Sequence, residues 1–167
     1  KAQPDYETKT SYTVTILSTD DGGKTFSKSF SVTVTNTNDA PTVANAISDQ
    51  TIAEDSALSF QFAPDVFADV DAGDSLTYTA TLADDSDLPS WLSFDADTRT
   101  FSGTPLNANV GAIDVKVTAA DSGSAAVTDT FKVTVTNTND VATIAGVTTG
   151  AVTEEDAASL TASGTLT

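Results

Sequence analysis

The side chains in this sequence best suited to chemistry are its carboxylates, and they come in short clusters. Asp69-Val70-Asp71-Ala72-Gly73-Asp74, Asp84-Asp85-Ser86-Asp87 and Asp95-Ala96-Asp97 all fall among turn-forming residues. Twenty-four Asp and Glu stand against seven Lys and Arg, with no His, for a net charge of −17. Asp beside Gly, Asn and Ser offers loop oxygens to a hard cation, and calcium accepts the loose, many-oxygen shell such loops provide. Cys is absent, which removes a thiolate nucleophile, a disulfide framework and a zinc or iron–sulfur site. Two carboxylates alone could run glycoside hydrolysis. Without His, Cys, a nucleophile elbow or a Gly-rich phosphate loop, however, the reading is that the chain is not an enzyme.

The same charge excludes two classes of partner. A strongly acidic surface repels nucleic acid and anionic lipid, and self-repulsion opposes compaction unless cations neutralise it. No run of 18 apolar residues occurs, so no membrane insertion is expected. Lys1 reads as a point inside a longer chain. Two clusters have simpler roles than metal binding. Asp84–Asp87 is expected to be a solvated loop, and Asp95–Asp97 a tight turn in which Asp caps its own backbone.

The elements that must position these acids repeat along the chain. Ser27–Asp39 (SKSFSVTVTNTND) and Thr128–Asp140 (TDTFKVTVTNTND) are identical at nine of thirteen positions, 101 residues apart. The same offset carries Val14 to Val115, Asp20 to Asp121, Glu54 to Glu155 and Asp55 to Asp156. A period of about 100 residues is the signature of a tandem array. Ser75–Leu82, Gly111–Ala119 and Thr128–Thr136 alternate apolar and polar residues with period two and are rich in Val, Thr, Tyr and Phe, as half-buried strands do. Ala57–Phe62, Trp91–Phe94 and Arg99–Ser102 are shorter candidates. About seven short strands per period predict an all-β, immunoglobulin/cadherin-like antiparallel β-sandwich, with Trp91, Phe94 and Phe101 filling its core.

These features resemble the cadherin superfamily, in the form found in large repeat adhesins of bacteria. Residues 1–41 are similar to the C-terminal part of a cadherin-like repeat plus linker, through Pro4-Asp5-Tyr6-Glu7, Asp20-Asp21-Gly22 and Asn38-Asp39-Ala40-Pro41. Residues 42–140 resemble a complete dystroglycan-type cadherin-like sandwich, through Asp69-Val70-Asp71-Ala72-Gly73-Asp74 and the string from Leu88-Pro89-Ser90-Trp91 to Gly103-Thr104-Pro105. Residues 141–167 resemble the start of a VCBS-type repeat, through Gly150-Ala151-Val152-Thr153-Glu154 and Leu160-Thr161-Ala162-Ser163. Such modules occur together in type I-secreted, RTX-type adhesins.

The resemblance implies a calcium site at each interdomain joint. The first would draw Asp5, Glu7, Asp39, Asp69, Asp71 and Asp121, with Asn38 offering a carbonyl. The second would retain Glu54 and Asp140. There Asn107 and Asn109 stand where the family has acids, so binding is expected to be weaker. The implied function is a calcium-binding extender of a bacterial surface adhesin, extracellular, with ions stiffening the linkers that project a distal adhesive region. Its partners would be neighbouring domains of the same chain and calcium, with surface glycan or protein bound through other regions. The alternative is a module that itself recognises glycan or peptide.

Overall fold

A computed structural model describes residues 3–140 of the chain. The head of the third predicted module, residues 141–167, lies outside the described residues. Residues up to Thr136 group as one compact unit, and Asn137–Asp140 belong to a separate one.

The first element is a hairpin of β1 (Ser11–Thr19) and β2 (Thr25–Thr33), paired antiparallel from Ser11↔Thr33 to Thr19↔Thr25. The remaining strands, β3 (Thr42–Val43), β4 (Gln50–Ala53), β5 (Leu58–Gln61), β6 (Phe67–Ala68), β7 (Thr77–Leu82), β8 (Leu92–Asp95), β9 (Thr100–Gly103), β10 (Gly111–Ala120) and β11 (Ala126–Thr136), build one sandwich. Seven of these nine run longer than two residues, as the sequence pattern anticipates. One sheet has the order β4-β11-β10-β7, the other β5-β9-β8, with β3 and β6 as a short additional pair. The expected all-β sandwich is therefore present; β5 and β7 to β11 fall within two residues of the six predicted spans, while β3, β4 and β6 have no predicted counterpart.

One pairing is not antiparallel. β4 runs parallel to β11, with Gln50↔Val133 and Ala53↔Thr136. The chain changes partners between β3, which pairs with β6, and β4, which pairs with β11. Two carboxylates hold that crossing: Asp129 Oδ2 accepts the Ile47 N–H at 2.7 Å, and Asp49 Oδ1 accepts the Lys132 N–H at 2.8 Å. β4 lacks period-two alternation, which is why its sequence does not announce it.

Alternate residues of β10 and β11 enter the core. Val115, Val117, Phe131 and Val133 are buried, facing Leu58, Leu92 and Phe101 from the other sheet. The rings interlock: Phe94 and Phe101 lie 4.5 Å apart between centroids, Phe101 and Phe131 5.4 Å, and Phe60 and Phe131 5.8 Å. Each buried aromatic or branched side chain contributes roughly 1.5–3 kcal/mol by leaving water. Trp91 and Phe94 pack against this cluster, as expected of core residues. Gly103 is required by closeness, because a Cβ there would lie 1.8 Å from the Trp91 carbonyl oxygen.

Candidate metal centre

Five of the six acids predicted for the first joint come together where the linker after β2 meets two loops of the sandwich. Asp69, Asp71 and Asp74 lie in the loop between β6 and β7, which turns through Gly73 at φ +96°. Asp121 sits in the turn between β10 and β11, buried to 6% exposure, with Oδ1 accepting the Ala125 N–H at 2.9 Å. Glu7 belongs to the turn before β1, and Asp39 to the linker itself.

Two acidic groups result. Glu7, Asp39 and Asp71 form one, and Asp69, Asp74 and Asp121 the other, each offering three carboxylate oxygens within 4.8 Å of one another. A concavity of about 290 Å³ lies beside them, lined by Asn36, Asn38, Asp71, Gly73, Asp74 and Ser122 among others.

The linker is held to these loops by amides. Asn36 Nδ2 donates to Asp71 Oδ1 at 2.8 Å, and the Asp39 N–H donates to Asp71 Oδ2 at 2.7 Å. Asn38 Nδ2 donates to Asp121 Oδ2 at 2.9 Å and to its neighbour's carbonyl, Asp39 O, at 3.0 Å. Asp69 Oδ1 accepts the Asp71 N–H at 2.9 Å, and Ser122 Oγ donates to Asp74 Oδ1. Asp69 Oδ2 is buried and has no hydrogen-bond partner. A buried carboxylate oxygen without a donor is costly to keep. A divalent cation shared with Asp74 and Asp121 would satisfy it, so these residues fit the calcium that the resemblance implies.

The electrostatics follow the contacts. The Asn36 amide, and after it the Asp39 N–H, hold the Asp71 carboxyl below its usual range. The Thr8 hydroxyl, then Glu7, does the same for Asp5. Glu7 is raised: the bond to its own backbone N–H pulls it down, but desolvation, the hydrogen bond with Asp5 and the negative charges of Asp39 and Asp5 outweigh that pull. Desolvation is the largest of the raising causes, and the neighbouring acids add to it.

Of the predicted ligands, Glu7, Asp39, Asp69, Asp71 and Asp121 fall in the two groups, and Asn38 is in hydrogen-bonding contact with one of them. Asp5 belongs to neither. Its oxygens accept the Glu7 N–H at 3.1 Å and the Thr8 hydroxyl at 2.6 Å. Asp74 was not among the predicted ligands, although its place three residues after Asp71 puts it in the same loop. Asn38 meets its partner through the side-chain amide. Glu54 is buried at the far end of the sandwich, where its N–H bonds Thr136 O, some 30 Å from the Asp121 turn along β11. Asp140 lies in the separate unit. Among the described residues neither joins a group of three acids. Asn109 Oδ1 caps a short 3₁₀ turn, Asn107–Asn109, by accepting the Leu106 N–H at 2.9 Å.

In the other two acidic clusters the carboxylates are engaged locally. Asp95 Oδ1 accepts the N–H groups of Asp97 and Thr98 at 3.0 and 3.1 Å, a turn capping itself. Asp84 Oδ1 binds the Ser86 N–H and hydroxyl, and Asp85 pairs with Lys116.

Fold and site together define an immunoglobulin-like sandwich of cadherin type with an acidic end. Residues 40–136 match the family model described as "Putative Ig domain", and the chain belongs to that family. It is similar to the "Serine-rich adhesin for platelets" of Staphylococcus aureus, at 36% identity over 125 residues in strains USA300 and MRSA252. Those residues are 74% of this chain but only 5% and 8% of the two relatives. Among solved structures it is similar to protocadherin gamma B7 extracellular cadherin domains 1–4, with a TM-score of 0.63 at 20% identity over 85% of this chain and 36% of that one. Mouse cadherin-23 EC22–24 gives 0.56 at 22%, over 82% of this chain and 45% of that one. These structural likenesses show the fold.

Proposed function

We propose that this chain is a calcium-stiffened spacer from the extracellular part of a bacterial surface adhesin, with no catalytic role. The observation that carries the reading is the buried, donor-less Asp69 Oδ2, grouped with Asp74 and Asp121 where the linker Asn38 arrives. Glu7, Asp39 and Asp71 would hold one cation, and Asp69, Asp74 and Asp121 another. Calcium would supply the positive charge that lets acids from a turn, a linker and two loops share one place. Between ions, Asn36 and Asn38 keep the linker seated by donating to Asp71 and Asp121.

The adhesin setting and the cell-surface location are both supported by the similarity to a staphylococcal adhesin. The type I-secreted, RTX-type setting rests on the sequence resemblance alone, as does the division into residues 1–41, 42–140 and 141–167 as parts of three successive modules. The partners in this reading are neighbouring modules and calcium, while glycan or protein is bound elsewhere in the longer protein.

The test is thermal melting with calcium, magnesium and chelator. Calcium should raise the midpoint, with an apparent dissociation constant of about 10⁻⁴–10⁻³ M as for extracellular modules, and magnesium should do much less. Equal effects of the two ions, or none from calcium, would end the metal-stiffened reading.

A further inference from the structure

The two long hairpins are the same object in two environments. Every pair in β1–β2 recurs 101 residues later in β10–β11: Val14↔Phe30 becomes Val115↔Phe131, and Tyr12↔Val32 becomes Ile113↔Val133. The turns match too. Asp20 Oδ1 accepts the Lys24 N–H at 2.8 Å, as Asp121 Oδ1 accepts that of Ala125 at 2.9 Å. Gly23 at φ 78° stands where Ser124 has φ 71°.

Their surroundings differ completely. Val115 is fully buried and Phe131 2% exposed, whereas Val14 is 40% and Phe30 45% exposed. The apolar face of β1–β2 carries Tyr12, Val14, Ile16, Phe26, Phe30 and Val32, interrupted by Ser18 and Lys28, while the opposite face is Ser and Thr apart from Leu17. The turn is likewise open on the side that matters. At Gly123 an added Cβ would strike the Asn38 side chain at 2.3 Å, but at Gly22 it would meet only Asp20 Oδ1 at 3.4 Å. Gly22 thus keeps the space that an asparagine uses at Gly123.

We infer that the β1–β2 hairpin closes a second sandwich: its apolar face takes a three-stranded layer of the β5-β9-β8 kind, lined with aromatic rings, and its Asp20–Gly22 turn takes an asparagine from a preceding linker. This deepens the tandem-array reading and does not depend on calcium. Pairing two such hairpins face to face is a poorer solution. A two-stranded face some 30 Å long and 10 Å wide covers only about 300 Å², well under the roughly 800 Å² per partner of a stable interface. A layer tethered in the same chain is not held to that threshold, and its linker adds the Asp20–Gly22 turn to the contact.

The inference is tested by grafting within the full chain, in chelator so that metal plays no part. Residues 11–33 replace residues 112–134, with Asp129 kept in this and the second graft because it accepts the Ile47 N–H, placing Val14, Phe30 and Val32 against Phe60 and Phe101, and Asp20 and Gly22 against Asn38. The imperfect fit, with Phe26 in place of Val127, should lower the melting midpoint by roughly 10–20 °C while leaving one cooperative transition. A second graft of residues 12–34, one residue out of register, turns the Ser/Thr face inward and should abolish cooperative unfolding. If both grafts fold, or neither does, the face is not a sandwich face and the inference is overturned. It is also overturned if the unaltered chain sediments as a dimer that Val14→Ser with Phe30→Ser dissociates, since the occupant is then a second copy's hairpin.

Discussion

Asn38 reaches across 83 residues of sequence to donate its side-chain amide to Asp121 Oδ2 at 2.9 Å, and it lies flat against Gly123. This contact seats the linker on the β10–β11 turn, and it uses a hydrogen bond to a charged acceptor, which contributes more than a neutral one. Gly123→Ala should push Asn38 off Asp121 and cost about 1–3 kcal/mol. Gly22→Ala, at the equivalent open position, should cost much less. Thermal melts of the two variants compare them directly, and equal losses would show that the linker contact contributes nothing.

The paired hairpins allow a sharper comparison of burial. Phe131→Ala removes a ring in contact with Phe60 and Phe101 and should cost about 3–5 kcal/mol. Phe30→Ala, at the matching position of the exposed hairpin, should change stability by less than about 0.5 kcal/mol. Urea unfolding of both variants measures the difference.

Removing single carboxylates should sort cation ligands from turn caps. Asp69→Asn or Asp71→Asn should weaken calcium binding roughly tenfold or more, and Asp74→Asn should weaken it too. Asp95→Asn should leave binding unchanged, because Asp95 is occupied by the N–H groups of its own turn. Calorimetric titration decides. A loss at Asp95 equal to that at Asp69 would sink the assignment.

Asp71 predicts the acid behaviour of the linker. Its folded carboxyl is held below the ordinary value of 3.8, first by the Asn36 amide and then by the Asp39 N–H. A carboxyl lowered in the folded state stabilises that state above its unfolded value, and the contribution is lost as pH falls through the folded value. Without metal, the linker should therefore stay seated through neutral and mildly acidic pH and release below about 4. Asn36→Ala removes the largest cause, so the Asp71 carboxyl should titrate at higher pH, as a carbon-13 NMR titration would record.

The strands and the repeat are legible from the residues alone because both are local or periodic. Period-two alternation marks β7, β10 and β11, since one face of each is buried. The offset of 101 residues equates Val14 with Val115 and Asp20 with Asp121 before any coordinate is known. The acid cluster from Asp69 to Asp74 is equally plain as a cluster. What no local pattern carries is which distant groups meet. That Asp74 joins Asp69 and Asp121 while Asp5 turns to Thr8, that Asn38 uses its amide, and that β4 runs parallel to β11 all depend on how two sheets and a linker pack. The burial of the second hairpin and the exposure of the first is the clearest case. The two hairpins share their pattern and register, and only the presence of an aromatic layer on one of them separates a core from a surface.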